Sequence, residues 1–436
     1  MKYVYKVIIV LYLIVGAVPI FDALDKVVTQ WFYLNVLNTI ALIFIYLKSN
    51  FLNKYIFNKS SILFFSLVIW SAITIFFSIN SVESIVVLSQ FFAIAIGFLV
   101  VLVCISELDN GFKLISNIIS LFLIFELISI YLPFARDIEM ARDQLFSRSA
   151  LFLGFAANVN ITAFSIIYKI PFFVYSIVQL KKIKPLLIIF SLIVFLLIIF
   201  ASGTLNSTRG AILTYTLLAP ILLTISLVIY IKSKQTKFLV ISTTYILALL
   251  ISFPINSFFS KSFSKSESNI VSRISSLTAL VDEEKRDGSL TQRLNFYSQA
   301  TNFILKNPIF GTGLGNWKIK SIDANKENII GYMVPYHVHN DYLEIATEIG
   351  LVGLSIYLAI LFIGFREEIL KFLRMIFTKE KLNNNYLISI TVTLFLFVFL
   401  IDSNINFPFH RPIVFINVIV LLAYLNSKQT NLLNEK

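Results

Sequence analysis

Residues 336–354 read YHVHNDYLEIATEIGLVGL, and in this stretch two histidines and three acidic residues stand immediately before an apolar run long enough to enter a membrane. His337 and His339 are two of the three histidines in 436 residues. They close a polar segment that begins near residue 256. Chemistry and bilayer meet there.

Outward from this point the chain is apolar. Hydrophobic residues make up 58% and charged residues 14%, and the mean hydropathy is +0.84, whereas a water-soluble domain carries about 25% charged residues. Stretches of the ~20 apolar residues that cross a ~30 Å hydrocarbon core as helix recur near 4–21, 31–47, 61–79, 84–106, 112–134, 150–168 or slightly later, 184–202, 210–231, 237–255, 349–365, 386–402 and 412–426. The expected fold is therefore all-α: a single polytopic integral membrane domain over 1–436 with about twelve transmembrane helices. Residues 256–340 form a large extracytoplasmic loop between the ninth and tenth of these.

Lys and Arg set the orientation, because cytoplasmic loops retain positive charge. With the N-terminus inside, 19 Lys and Arg fall in the inside loops, six in the short outside loops and ten in the long insert. Both termini are then cytoplasmic, and all three histidines lie outside. The net charge of +12 is thereby explained by topology, which removes its main argument for a nucleic-acid partner. The single cysteine, Cys104, lies inside the fourth span and excludes both a disulfide framework and a cysteine metal site. Lys2 and Lys6 before the first span resemble a signal peptide, but that span's apolar region is long and eleven others follow. It reads as an uncleaved anchor.

Irregular segments cluster on the outside face: 135–149 (ARDIEMARDQLFSRS), 201–211 (ASGTLNSTRGA) and the insert. Within the insert, Leu290, Leu294, Tyr297, Ala300 and Ile304 recur at helical spacing until Asn307-Pro308, which predicts an amphipathic helix on the membrane face or the bundle. GTGLGNW, 311–317, reads as a tight turn; a phosphate-binding loop needs a preceding strand and a Lys-Ser/Thr pair that this sequence lacks. Asn340 or Asp341 is the expected N-cap of the helix that carries Glu344 and Glu348 into the next span. Asn158 and Asn160, placed within the sixth span, are expected to face the bundle, since lipid tolerates no unsatisfied amide.

His339-Asn340, then nine residues, then Gly350-Leu351-Val352-Gly353 resembles the signature of bacterial O-antigen ligases and of the related O-antigen polymerases and protein O-oligosaccharyltransferases. TQRLNFYSQATNFILKNPIFGTGLGNW (291–317) and STRGA (207–211) are similar to that family's Arg-bearing helix with its Pro-x-x-Gly-x-Gly turn and to its segment after the seventh span. The resembling region is 200–365. It implies a fold like that of other lipid-carrier-dependent glycosyltransferases, an inner-membrane location and a role in lipopolysaccharide or other envelope polysaccharide biosynthesis. It also implies transfer of a glycan from undecaprenyl diphosphate to an acceptor, without nucleotide sugar, cofactor or metal. The acceptor would be lipid A-core for a ligase, or a growing glycan for a polymerase. By position it points to His339 as catalytic residue and to Arg209 and Arg293 as diphosphate-binding residues.

Physical chemistry is compatible with those roles. Arginine presents a planar, permanently charged fork that matches phosphate oxygens, and an imidazole can take the proton of an attacking hydroxyl. The plainer readings are a helix-end anchor for Arg209, a wet amphipathic face for Arg293 and a solvated loop histidine for His339. His337, Asn340, Glu344, Glu348 and His410 are candidate supporting residues, the two glutamates through orienting His339 or the acceptor. His337-x-His339-x-Asp341 also has metal-ligand spacing, but needs further ligands, and His410 is the only other histidine. A polytopic transporter or flippase is the rival class; it would place its ionisable residues near mid-membrane.

Overall fold

The structure is a computed structural model that describes residues 1–19, 25–48, 52–145, 149–156, 158–206, 208–263, 288–324, 336–378 and 384–434. The described residues are helical apart from turns and bends: α1 Lys2–Leu13, α2 Lys26–Lys48, α3 Leu52–Ile56, α4 Lys59–Thr74, α5 Ser81–Ser106, α6 Gly111–Arg136, α7 Ile138–Asp143, α8 Val159–Ile167, α9 Ile170–Val178, α10 Pro185–Phe200, α11 Arg209–Ser233, α12 Lys237–Phe263, α13 Gly288–Lys306, α14 Trp317–Ala324, α15 Asp341–Phe377, α16 Asn384–Ile405 and α17 Pro412–Asn434. A chain that crosses lipid must satisfy its backbone polar groups within itself, and helices do so.

Among the described residues ten helices are long and apolar enough to cross a membrane, against the dozen expected. The remaining two expected spans correspond to the helices at the two ends: α1 has 12 residues and passes into a 3-10 turn at Val15–Ala17, and α17, helical over Pro412–Asn434, is apolar over Pro412–Lys428. The sixth span runs Val159–Val178 through α8 and α9, the later of the placements expected. The reason is Asn158, whose side chain accepts from the Asn160 N–H as an N-cap and so starts the helix rather than lying within it. The expected loop 135–149 is also partly helical, through the end of α6 and α7. Arg148 lies outside the described residues.

Small residues and internally paired polar groups hold the bundle together, as lipid requires. α5 packs against α17, α2 and α4 at its centre. Asn38 donates to the Ala93 carbonyl at 2.9 Å and accepts from the Tyr12 hydroxyl, beside Gly97. Between α10 and α11, residues Ala201–Leu205 form a π-helical turn, and Thr204 donates to Asn256.

A buried ion pair lies inside the bundle. Lys169, at the α8–α9 junction, donates to Glu126 of α6 at 2.7 Å and to both oxygens of Ser165 at 2.7 Å. The two charged residues are 1% and 0% exposed. Burial of this kind is tolerated only because the charges are paired.

Candidate functional site

The Gly-x-x-Gly and Pro-x-x-Gly-x-Gly segments interlock. α15 is broken at Ile349 (φ −120°, ψ 17°) and Gly350 (φ 71°, ψ 178°), and the turn after α13 enters the break. Pro308 O accepts from Leu351 N at 2.7 Å, and Thr312 N donates to Thr347 O at 2.8 Å. Trp70 Nε1 donates to Ile349 O at 2.8 Å. These bonds satisfy backbone groups that the break would otherwise leave without partners in a low-dielectric setting. A β-carbon at Gly350 would overlap the Ile309 carbonyl, and one at Gly311 would overlap Thr347 O and stand 2.7 Å from Glu348 C. Phe310 stacks on Trp70 and Phe77, with centroids 5.6 and 3.8 Å away, and fixes the turn to α4.

This splice fixes the first turns of α15, and those turns carry the histidine segment. Asn340 is the N-cap, accepting from Leu343 N at 3.0 Å. His339 before it is left-handed, with φ 61°, a conformation that costs a non-glycine residue about 1–3 kcal/mol and gathers at functional sites. The Tyr297 hydroxyl of α13 faces two carbonyls, His339 O at 2.9 Å and Asn404 O at 3.0 Å, and Asn340 Nδ2 donates to Asn404 O at 3.3 Å.

Glu344, one turn into α15, takes hydrogen bonds from His337 Nδ1 at 2.6 Å and Val338 N at 3.0 Å. His410 Nε2 of the last turn lies 3.2 Å away. Glu344, expected to orient His339 or the acceptor, has His337 and His410 as its partners, because its side chain reaches back past the N-cap to the turn's start. Asp341 accepts from Phe409 N at 3.1 Å and ties the 407–411 turn to the site. Burial lowers the His337 pKa despite Glu344. For His410 burial acts the same way, but the hydrogen bond and charge of Glu344, with Glu348 adding, outweigh it and raise the value. Two imidazoles on one carboxylate thus favour opposite protonation states.

His339 is set apart from that array. Its ring is parallel to Phe296 at 6.4 Å and edge-on to Phe407 at 5.2 Å, and its Nδ1 is buried without a hydrogen-bond partner among the described residues. Burial first, then the charges of Arg293 and His337, lowers its pKa to about 4. The charge of Arg293 also acts on Asp402 near the end of α16. Arg209 begins α11 at that same end, where a β-carbon on the next residue, Gly210, would strike Ile405. The last turn of α16 thus meets Tyr297 and Asn340, lies beside the start of α11, which Arg209 opens, and stands within the field of Arg293, which also acts on His339.

His337, Glu344, Glu348, His410 and Arg411 line a cavity of about 610 Å³ that extends between α2 and α5. Arg209, Arg293 and His339 are not among its lining residues. Sequence reasoning missed Asp341 and Phe407 as site organisers and counted Arg411 only as charge; the signal for Arg411 was its adjacency to the third histidine.

His337, Glu344 and His410 are close enough to share an ion, with ligand atoms within 4.8 Å of one another. Ligands about 2.0 Å from a tetrahedral zinc stand roughly 3.3 Å apart. The 2.6 Å between His337 and Glu344 is a hydrogen-bond distance, so the array is organised for proton sharing.

No curated protein matches the chain. The family model described as O-antigen ligase matches residues 190–358, from α10 through the break in α15. That match contains the interlocked glycine segments together with Arg209, Arg293 and His339, and over those residues the chain is similar to the O-antigen ligase family.

Proposed function

We propose that the protein moves a glycan from an undecaprenyl-diphosphate carrier to an acceptor hydroxyl at the outer face of the inner membrane, most simply as a ligase onto lipid A-core. The observation that supports this is that the charge of Arg293 acts on both His339 and Asp402 near the end of α16, beside which α11 starts at Arg209. In the reaction the acceptor oxygen attacks the anomeric carbon. The bond from that carbon to the diphosphate oxygen breaks, and undecaprenyl diphosphate leaves with the electron pair. Two guanidinium groups stabilise the charge that develops on it, and an imidazole of the 337–339 turn takes the acceptor's proton. On this account the arginines supply the neutralising charge, and no metal is required.

The excess of Lys and Arg on the opposite face supports cytoplasmic termini. The intramembrane Glu126–Lys169 pair is the feature that most favours a transporter, yet it is closed and neither residue lines the cavity at His337. A polymerase that joins repeat units by the same chemistry remains the second reading, because the matched segment is common to both.

Deletion of the gene, followed by electrophoresis of surface glycan and analysis of carrier lipids, separates the readings. Long chains stranded on the carrier support the ligase. Single repeat units on the final acceptor indicate a polymerase. Lipid-linked units confined to the cytoplasmic face refute both and indicate a flippase.

A further inference from the structure

Every buried asparagine side chain among the described residues makes at least one hydrogen bond, with one exception. Asn206 is 0% exposed, and neither its Oδ1 nor its Nδ2 has a partner among the described residues. Two positions on, Thr208 is 3% exposed and its Oγ1 is likewise unpaired; it is the N-cap of α11 yet makes no side-chain cap bond. The backbone at both positions is satisfied, Asn206 N donating to Ala201 O at 2.9 Å and Thr208 N to Ser202 O at 3.2 Å, and the nearby Thr204 has Asn256. Native interiors leave few polar groups unpaired. Three such atoms within three residues therefore mark a place built for a partner.

Their position says which partner. They follow the π-helical turn Ala201–Leu205, a rare form that gathers at functional sites, and they immediately precede Arg209 at the start of α11. A β-carbon on the next residue, Gly210, would meet Ile405 of α16 and Phe164 of α8, so the segment sits where the ends of three helices join. The chemistry of the amide narrows the ligand further. A phosphate diester oxygen only accepts, and would pair Nδ2 while leaving Oδ1 bare. Two adjacent hydroxyls of a sugar, or its acetamido group, donate and accept side by side and pair both atoms.

We infer that Asn206 and Thr208 hold the sugar joined directly to the carrier's diphosphate, the one whose anomeric carbon is attacked, an assignment that rests on the glycan-transfer reading with Arg209 on the diphosphate. Because Asn206 is closed off from solvent, the turn moves aside as the donor enters, and the contact belongs to the donor-bound state. The free protein carries the desolvation cost of the bare amide, and the sugar relieves it. The contact orients the anomeric carbon without adding to the grip on the departing carrier, since undecaprenyl diphosphate leaves without its sugar.

The test uses the full chain in nanodiscs and three probes: undecaprenyl diphosphate, and the same carrier bearing one glucose or one N-acetylglucosamine. Asn206→Leu, close in shape and without polar atoms, should weaken the better bound sugar-bearing probe about ten-fold and leave undecaprenyl diphosphate within about two-fold of wild type. Thr208→Val should weaken the same probe about three-fold, and it carries the test if Asn206→Leu does not fold. Arg209→Gln should weaken all three. Without carrier, the melting temperature of Asn206→Leu should equal or exceed that of wild type, because the substitution removes bare polar atoms and strands none. Wild-type binding of every probe by both variants overturns the inference, as does equal weakening of sugar-bearing and sugar-free carrier. A lower melting temperature with unchanged binding means that ordered water pairs the amide, and overturns it too. Wild type that binds none of the probes, or Arg209→Gln that binds all of them normally, refutes the parent reading instead.

Discussion

Gly350→Ala should separate the architecture of the site from its chemistry, because the substitution adds one methyl group and touches no reacting residue. Its φ of 71° with ψ of 178° lies in a region open essentially to glycine alone, so alanine costs about 1–3 kcal/mol in backbone strain. The new β-carbon also overlaps the Ile309 carbonyl and stands 3.0 Å from Phe310 N, and a carbonyl cannot rotate away as a side chain can. The turn must withdraw, which breaks or stretches Leu351 N to Pro308 O and Thr312 N to Thr347 O, at about 0.5–1.5 kcal/mol each. A total loss of roughly 2–6 kcal/mol follows. The histidine segment moves with α15, and a shift near 1 Å at a reacting centre costs about 10²-fold in rate. Gly353→Ala is the comparison, since the three atoms nearest its β-carbon all belong to the Ile349 side chain and no positive φ adds backbone strain there. Melting curves in detergent and initial transfer rates would be compared for the three proteins. Equal melting temperature and rate for Gly350→Ala and wild type would refute the interlock.

Further outcomes follow from other parts of the molecule. In a Cys104→Ser background, a cysteine at the exposed Asn307 should react with an impermeant thiol reagent in intact cells, and one at the exposed Thr236 only after lysis; the reverse pattern overturns the topology. Lys169→Met should lower stability by about 3–5 kcal/mol by leaving Glu126 without its partner, and adding Glu126→Gln should recover much of the loss; a double variant as unstable as the single one would show that the pair's charges are not what matters. For His339, with a folded pKa of about 4 below an unfolded value of about 6.5, the unfolded chain binds more protons between those values. Stability should therefore increase as pH rises from about 4 to 6.5, and His339→Gln should flatten that slope; superimposable melting-temperature profiles would count against its burial.

The fold was legible where lipid imposes a single demand. Runs such as 84–106 read as spans at once, whereas the start of the sixth stayed open between 150 and a later residue because Asn158 looks the same in sequence whether it caps a helix or lies within one. The amphipathic α13 and the Asn340 cap were legible from spacing, as local features are. The site was half legible. His339, Arg293 and Arg209 could be picked out through a motif, but the role of Gly350 depends on a turn some 40 residues earlier that enters the break in α15. The link from Glu344 to His410 spans 66 residues and two helices, and Lys169 to Glu126 spans 43. No period or spacing encodes such contacts. They arise from how the helices pack, and a lone charge within an apolar run is the only trace they leave.

Transfer by the purified protein tests the central claim most directly. With undecaprenyl-diphosphate glycan, acceptor glycolipid and EDTA, wild type should release undecaprenyl diphosphate in equal amount to the glycosylated acceptor formed. Arg293→Ala should bind the donor weakly, and Arg293→Lys should recover only part of the binding, because a point charge lacks the planar fork. Product formation that stops with EDTA and returns with one added divalent ion, or full activity in Arg293→Ala at normal protein levels, would contradict the account.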